Sequence, residues 1–183
     1  MEQRQEIHVG SEVFKMYLAE EKIQERVAEI GKQISEDYKD KLPIIIGVLN
    51  GSFLFMSDLV KHIDVKCEVD FFKLSSYGDS KISSGKVKLI KELNADIEGR
   101  HIIIVEDIVD SGLSMKYIEE LIGTHNPASM KVVSLLVKPN SLKYDVKIDY
   151  IGFEISDEFV IGYGLDYAQH YRNLRSIYAL DED

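Results

Sequence analysis

His101-Ile102-Ile103-Ile104-Val105-Glu106-Asp107-Ile108-Val109-Asp110-Ser111-Gly112-Leu113-Ser114 decides the fold of this 183-residue chain. Ile102 to Val105 is an unbroken run of β-branched side chains, the pattern of a central parallel strand covered on both faces. Strands of that kind end at a ligand crevice. Past the acids, Leu113, Lys116, Tyr117 and Leu121 fall on helical spacing, which predicts a helix over Met115 to Ile122 with small residues at its start.

The chemistry of the turn follows from that order. A helix start offers unpaired amides and the positive end of the helix dipole, Gly112 lets the backbone approach closely, and the Ser111 and Ser114 hydroxyls add donors. A phosphate monoester fits such a cradle. Glu106 and Asp107 are poor phosphate ligands but good acceptors for a vicinal diol or for the water shell of Mg2+. Singly, Glu106, Asp107 and Asp110 read as solvated loop acids. In the order strand, acid pair, acid, small-Gly-small, helix, they read as a site for a ribose 5-phosphate.

Bulk properties bound the answer. With 45% hydrophobic residues, the chain suits one α/β domain with a sizeable core rather than two. No apolar signal region follows Met1 and no apolar stretch approaches the ~20 residues that span a bilayer, so a cytoplasmic location is expected. The 32 acids against 22 bases give a formal net charge of −10, which opposes binding to nucleic acid or to an anionic membrane. An anionic ligand then needs local help from Mg2+, a helix N-terminus or a few placed bases. The single cysteine, Cys67, alternates with Val65, Val69 and Phe71 and reads as a small strand hydrophobe.

Outward from the decisive segment, Ile23, Val27, Ile30, Ile34 and Tyr38 form one apolar face and predict a packing helix. Leu42-Pro43 stops it, and Ile44 to Leu49 reads as a buried strand. Asn50-Gly51-Ser52 is a tight turn, with Ser52 expected to cap a helix over Phe53 to His62. Strands are expected at Val65 to Leu74, Val87 to Leu93 and Lys131 to Val137, with a long small-polar loop between the first two. Beyond Pro139 shorter strands are expected around Tyr150 to Phe153 and Phe159 to Tyr163. Walker A spacing, a His-Glu-x-x-His pair and a complete dinucleotide fingerprint are all absent.

Val105-Glu106-Asp107-Ile108-Val109-Asp110-Ser111-Gly112 closely resembles the phosphoribosyl-diphosphate signature of type I phosphoribosyltransferases, and the 6-oxopurine branch is the best match. The resemblance runs from the helix before Ile44 to Arg172 with several motifs in order. It implies the family's α/β fold, a central mainly parallel sheet flanked by helices, as a single domain over 1–183 with a small hood from the N-terminal residues and roughly 140–183. The substrates implied are phosphoribosyl diphosphate and a 6-oxopurine, with Mg2+ as cofactor and a homodimer or homotetramer as the assembly.

Residue by residue, the resemblance implies that Glu106, Asp107, Asp110, Ser111, Gly112, Leu113 and Ser114 hold the phosphoribosyl group. Glu106 and Asp107 would hold the ribose diol or metal waters, Asp166 would ligate Mg2+, and Asp110 would take the proton shed by the purine. Lys138, which by default is a surface strand terminator, would donate to the exocyclic oxygen of the base and select a 6-oxo over a 6-amino group. Phe159, otherwise a core residue, would stack on the purine, with the backbone of Val160 on its edge and Asp166 near the base. Asn50, Gly51 and Arg172 would bind diphosphate, and Ser76 and Tyr77 would belong to a flexible closing loop. Many family members carry a basic residue where this chain has Asn50, so a side-chain charge is not expected there. Two other readings stay open: a turnover-independent nucleotide or RNA regulator, and a receiver-type acidic pocket built on Asp107 and Lys138.

Overall fold

In the computed structural model, which describes residues 5–76, 87–91 and 93–181, the first elements are a hairpin of β1 (Glu6–Val9) and β2 (Glu12–Leu18). It turns at Gly10, where φ is +62°. Helix α1 (Glu20–Asp37) follows and buries Ile23, Val27, Ile30 and Ile34, the face predicted from their spacing. Next come β3 (Ile44–Leu49), α2 (Phe53–Lys61), β4 (Glu68–Ser76), β5 (Val87–Lys91) and β6 (His101–Val109). Helix α3 (Leu113–Gly123), β7 (Ser129–Val137), β8 (Tyr150–Glu154), β9 (Val160–Ile161) and β10 (Ile177–Leu180) complete the chain.

The large sheet has the order β5-β4-β3-β6-β7-β8, with β5 antiparallel at one edge and the other five strands parallel. Alternate isoleucines of the central strands serve opposite faces. Ile45, Ile103, Val105 and Val133 pack with α1 and α2. Ile44, Ile46, Ile102 and Ile104 pack with Met115, Ile118 and Ile122 of α3. With both faces covered, neither parity of the strand can be polar, which is why the sequence runs of β3 and β6 show no alternation. Each such fully buried side chain contributes about 2 kcal/mol of transfer free energy.

A second, antiparallel sheet of order β1-β2-β10-β9 forms the hood, with its own small core of Ile7, Phe14, Ile161 and Tyr178. The expected central, mainly parallel sheet with a hood lobe is the observed architecture. Residues 150–154, placed by the sequence in the hood range, run instead as the parallel edge strand β8 beside β7, Tyr150 opposite Val133. Gly152 lets them approach, since a Cβ there would lie 2.3 Å from the Leu135 carbonyl oxygen.

Ser52 does not cap α2. Its backbone is already helical (φ −71°, ψ −6°), and its fully buried hydroxyl donates back to the Val48 carbonyl at 2.6 Å, where β3 ends. Cys67 lies one residue ahead of β4, half-buried against the core, and burial pushes its thiol pKa up. Tyr77 of the expected closing loop lies outside the described residues, and Ser76 is the last residue of β4. No helix among the described residues is long and apolar enough to cross a membrane.

Candidate active site

The C-terminal ends of β3, β6 and β7 open on one side of the large sheet, and the candidate residues gather there. Past β6, Gly112 takes φ +83° and passes the chain into α3. A Cβ at Gly112 would sit 3.2 Å from Val146 Cγ2 and 3.4 Å from the Tyr144 carbonyl oxygen. That neighbouring segment braces the turn, because the amides of Lys143 and Tyr144 both donate to the Ser111 carbonyl. Glu106, Asp110, Ser111, Gly112, Leu113 and Ser114 line a cavity of about 100 Å³ at the α3 N-terminus, a place where helix amides can meet an anion.

Beside it lies a polar cleft of about 240 Å³ lined by Asn50, Gly51, Glu106, Asp107, Asp166 and Arg172 among others. The Leu49–Asn50 peptide on its rim is cis. Gly51 is wedged between two walls: a Cβ there would meet Asp107 Oδ2 at 1.6 Å, and a Cβ on Gly164 would meet the Gly51 carbonyl oxygen at 2.0 Å. Only glycine at both positions allows this approach. Glu106 is buried, and its Oε2 has no partner among the described residues. Burial, and then the neighbouring Asp107 charge, raises its pKa well above the ordinary value. Burial likewise raises Asp107 to about 6, against the opposing pull of the Ile108 amide and of Arg172.

Arg172 closes the cleft. Its guanidinium pairs with Asp166 Oδ1 at 2.6 Å and donates to the Gly164 carbonyl at 2.8 Å. The other Asp166 oxygen accepts the Gln169 amide at 2.8 Å. Across the cradle, the Lys138 amide donates to the Val109 carbonyl, which sets the lysine beside Asp110. Lys138 is only 8% exposed, its ammonium 3.8 Å from Asp110 Oδ2 and 3.4 Å from the Asp157 carbonyl oxygen. It is therefore no surface terminator. Phe159 is 44% exposed and so is no core residue either. Its ring makes T-shaped contacts with Tyr167 at 5.8 Å and Phe14 at 6.1 Å, so it is held although much of it stays exposed. The Phe159 carbonyl faces β10, where it accepts the Leu180 amide. By strand alternation the polar backbone groups of the next residue, Val160, face the open edge of the hood sheet.

A family profile described as phosphoribosyl transferase domain matches residues 14–168. The chain belongs to the phosphoribosyltransferase family. It is 51% identical over 163 residues to the hypoxanthine-guanine phosphoribosyltransferase of Bacillus subtilis, covering 89% of this chain and 91% of that protein. To the hypoxanthine phosphoribosyltransferase of Escherichia coli K12 it is 45% identical, covering 86% and 89%. A crystal structure of a hypoxanthine phosphoribosyltransferase from Staphylococcus aureus superimposes with a TM-score of 0.87 at 44% identity, covering 91% of each chain.

As a phosphoribosyltransferase, the chain brings Asn50, Gly51, Glu106, Asp107, Asp166 and Arg172 into one cleft, and Asp110, Ser111, Gly112, Leu113 and Ser114 into the adjoining cradle. The three acids expected to share a metal do not meet as one ligand cluster among the described residues. Asp166 is committed to Arg172 and to the Gln169 amide instead. Glu106 and Asp107 do fit a divalent cation: one carries an orphaned buried carboxylate oxygen and both are held with raised pKa values, as groups lacking positive charge are. Mg2+ is ordinarily bound by one or two carboxylates with substrate oxygens completing the shell.

Sequence reasoning missed the supports of this phosphoribosyltransferase site. Phe14 and Tyr167 brace Phe159, and the Asp157 carbonyl holds Lys138. Asp58 holds Tyr163. These are contacts between residues far apart in the chain, and only the two glycines flanking Tyr163 gave a local signal.

Proposed function

We propose that this protein transfers the 5-phosphoribosyl group from phosphoribosyl diphosphate to N9 of hypoxanthine or guanine, giving IMP or GMP and diphosphate, in purine salvage. The observation that carries this reading is the union of a small anion cradle, a two-carboxylate edge and a cationic cleft wall at the ends of adjacent parallel strands. The 5-phosphate belongs on the α3 N-terminus and the ribose diol on Glu106 and Asp107. Diphosphate belongs in the cleft between the Asn50-Gly51 amides and Arg172, whose fork matches paired phosphate oxygens.

Glu106 and Asp107 would hold Mg2+ directly or through its waters. When bound, the ion offsets charge on the departing diphosphate. The rest falls to the chain itself. Phe159 presents an open aromatic face to the purine, and the outward backbone of Val160 reads its edge. Lys138, buried and aimed by the Asp157 carbonyl, donates to a 6-oxo group and would face a 6-amino group donor to donor. Asp110 lies 3.8 Å from that ammonium and takes the proton that the purine loses.

The deciding experiment is diphosphate release from phosphoribosyl diphosphate with Mg2+ present. Release that depends on added hypoxanthine or guanine, and not on adenine, is the expected result. Release without purine, or none with any base, would reject the reading. The formal net charge of −10 disfavours an RNA-binding regulator.

A further inference from the structure

We propose that Asp58 is a positioning residue for the donor side of the site, acting through Tyr163. The inference rests on the reading of Asn50, Gly51 and Arg172 as the diphosphate side. Tyr163 is 3% exposed, and its hydroxyl donates to Asp58 Oδ2 at 2.7 Å. Gln24 of α1 donates to the same oxygen at 2.8 Å, and Lys61 donates to Oδ1 at 2.6 Å. One carboxylate thus ties α1 and α2 to the loop between β9 and β10.

Both ends of this tie lead to the cleft. On one side, Asp58 sits on α2, which starts directly after Asn50-Gly51-Ser52. The Phe53 amide donates to the Asn50 carbonyl and Ser52 is bonded back to Val48, so the diphosphate loop and the helix move as one piece. On the other side, Gly162, Tyr163 and Gly164 take φ of +98°, +49° and +101°. Tyrosine in that region needs external support: its amide donates to the Leu174 carbonyl, and its hydroxyl donates to Asp58 and accepts a longer bond from Gln24 at 3.4 Å. Its neighbour Gly164 presses against the Gly51 carbonyl and supplies the acceptor for Arg172. Asp58 therefore fixes the distance between the amide wall of the cleft and its guanidinium wall without reaching the substrate.

A purely structural network would alter stability alone. The test is steady-state kinetics of the full chain for Tyr163→Phe, Asp58→Ala, the double variant and Asp58→Asn, with thermal midpoints alongside. Tyr163→Phe and Asp58→Ala should each raise KM for phosphoribosyl diphosphate at least about fivefold, the value of one ordinary hydrogen bond, with KM for the purine changed less than about twofold. The double variant should be no worse than Asp58→Ala alone, because the tie that Tyr163→Phe removes is already gone in that variant. Asp58→Asn keeps an oxygen for Tyr163 and should return the donor KM close to that of the parent. Lower midpoints with both KM values unchanged, or equal rises in both, would overturn the proposal. Arg172→Gln separates the positioning role of Asp58 from the diphosphate site itself. If it raises the donor KM while Tyr163→Phe does not, only the positioning role fails; if it leaves the donor KM unchanged, the diphosphate reading falls and this inference with it.

Discussion

Asp107 sits under opposing demands. Its folded pKa of about 6 lies above the ordinary 3.8, so the folded chain holds that proton more tightly than the unfolded chain does. The contribution to stability is full below about pH 4 and is lost as pH rises through about 6, a change on the order of 1–3 kcal/mol. Asp107→Asn should therefore shrink the fall in unfolding free energy between pH 4 and 6, as measured by urea denaturation at a series of pH values without added metal. A slope identical to the parent's would contradict the assignment. The same variant should lose transferase activity, since the fold keeps this destabilised charge only for what it binds.

Asp110 and Lys138 make a second pair that is testable residue by residue. Asp110→Asn should leave donor affinity near that of the parent and slow transfer by about 10²-fold or more, the usual worth of a positioned base. Unchanged turnover would remove Asp110 from that role. Lys138→Ala should raise KM for the 6-oxopurine well beyond any change for the donor, and an equal loss on both sides would count against base recognition.

Among elements, the strand-to-helix turn after β6 and the β3-to-α2 turn carry the site, and they were not equally legible. Strands β3, β6 and β7 show in the sequence because both faces are covered, and the cradle shows because Gly112 and its serines are local. Ser52 misled because capping and back-bonding call for the same residue type at the same place. Asp58 could not be found from local pattern, since Tyr163 lies 105 residues away. The fit between the Gly51 and Gly164 turns is similarly non-local. Gly164→Ala would force a methyl against backbone at a φ of +101°. It should cost about 2–4 kcal/mol in urea unfolding and weaken donor binding; a neutral effect on both would mean that the two turns are not in contact.

Across the whole molecule, labour divides between two sheets. The large sheet carries the cradle, Glu106, Asp107 and Lys138, whereas the hood carries Phe159 just ahead of its edge strand, Val160 on that strand, and Asp166 and Arg172 between β9 and β10. β10 lies inside the hood, with Ala179 opposite both Lys15 and Val160. Proline at such a position removes a ladder donor and is not tolerated inside a sheet. Ala179→Pro should thus reduce kcat/KM for the purine at least about tenfold, and limited proteolysis should cut first in residues 5–18 and 160–181 rather than in the large sheet. Uniform cleavage throughout would show that the two sheets are not separable units.

The pairing of β2 with β10 joins Phe14 to Leu180 across nearly the whole chain. Closing so long a loop is entropically costly and slow compared with the near-neighbour strand pairs of the large sheet. Arg172 and Gly164 lie between β9 and β10, so a folding molecule is expected to form the large sheet and its phosphate cradle before it completes either the diphosphate wall or the purine platform. Refolding followed in time should show burial of the large-sheet core ahead of the return of turnover, and simultaneous recovery would argue against this order.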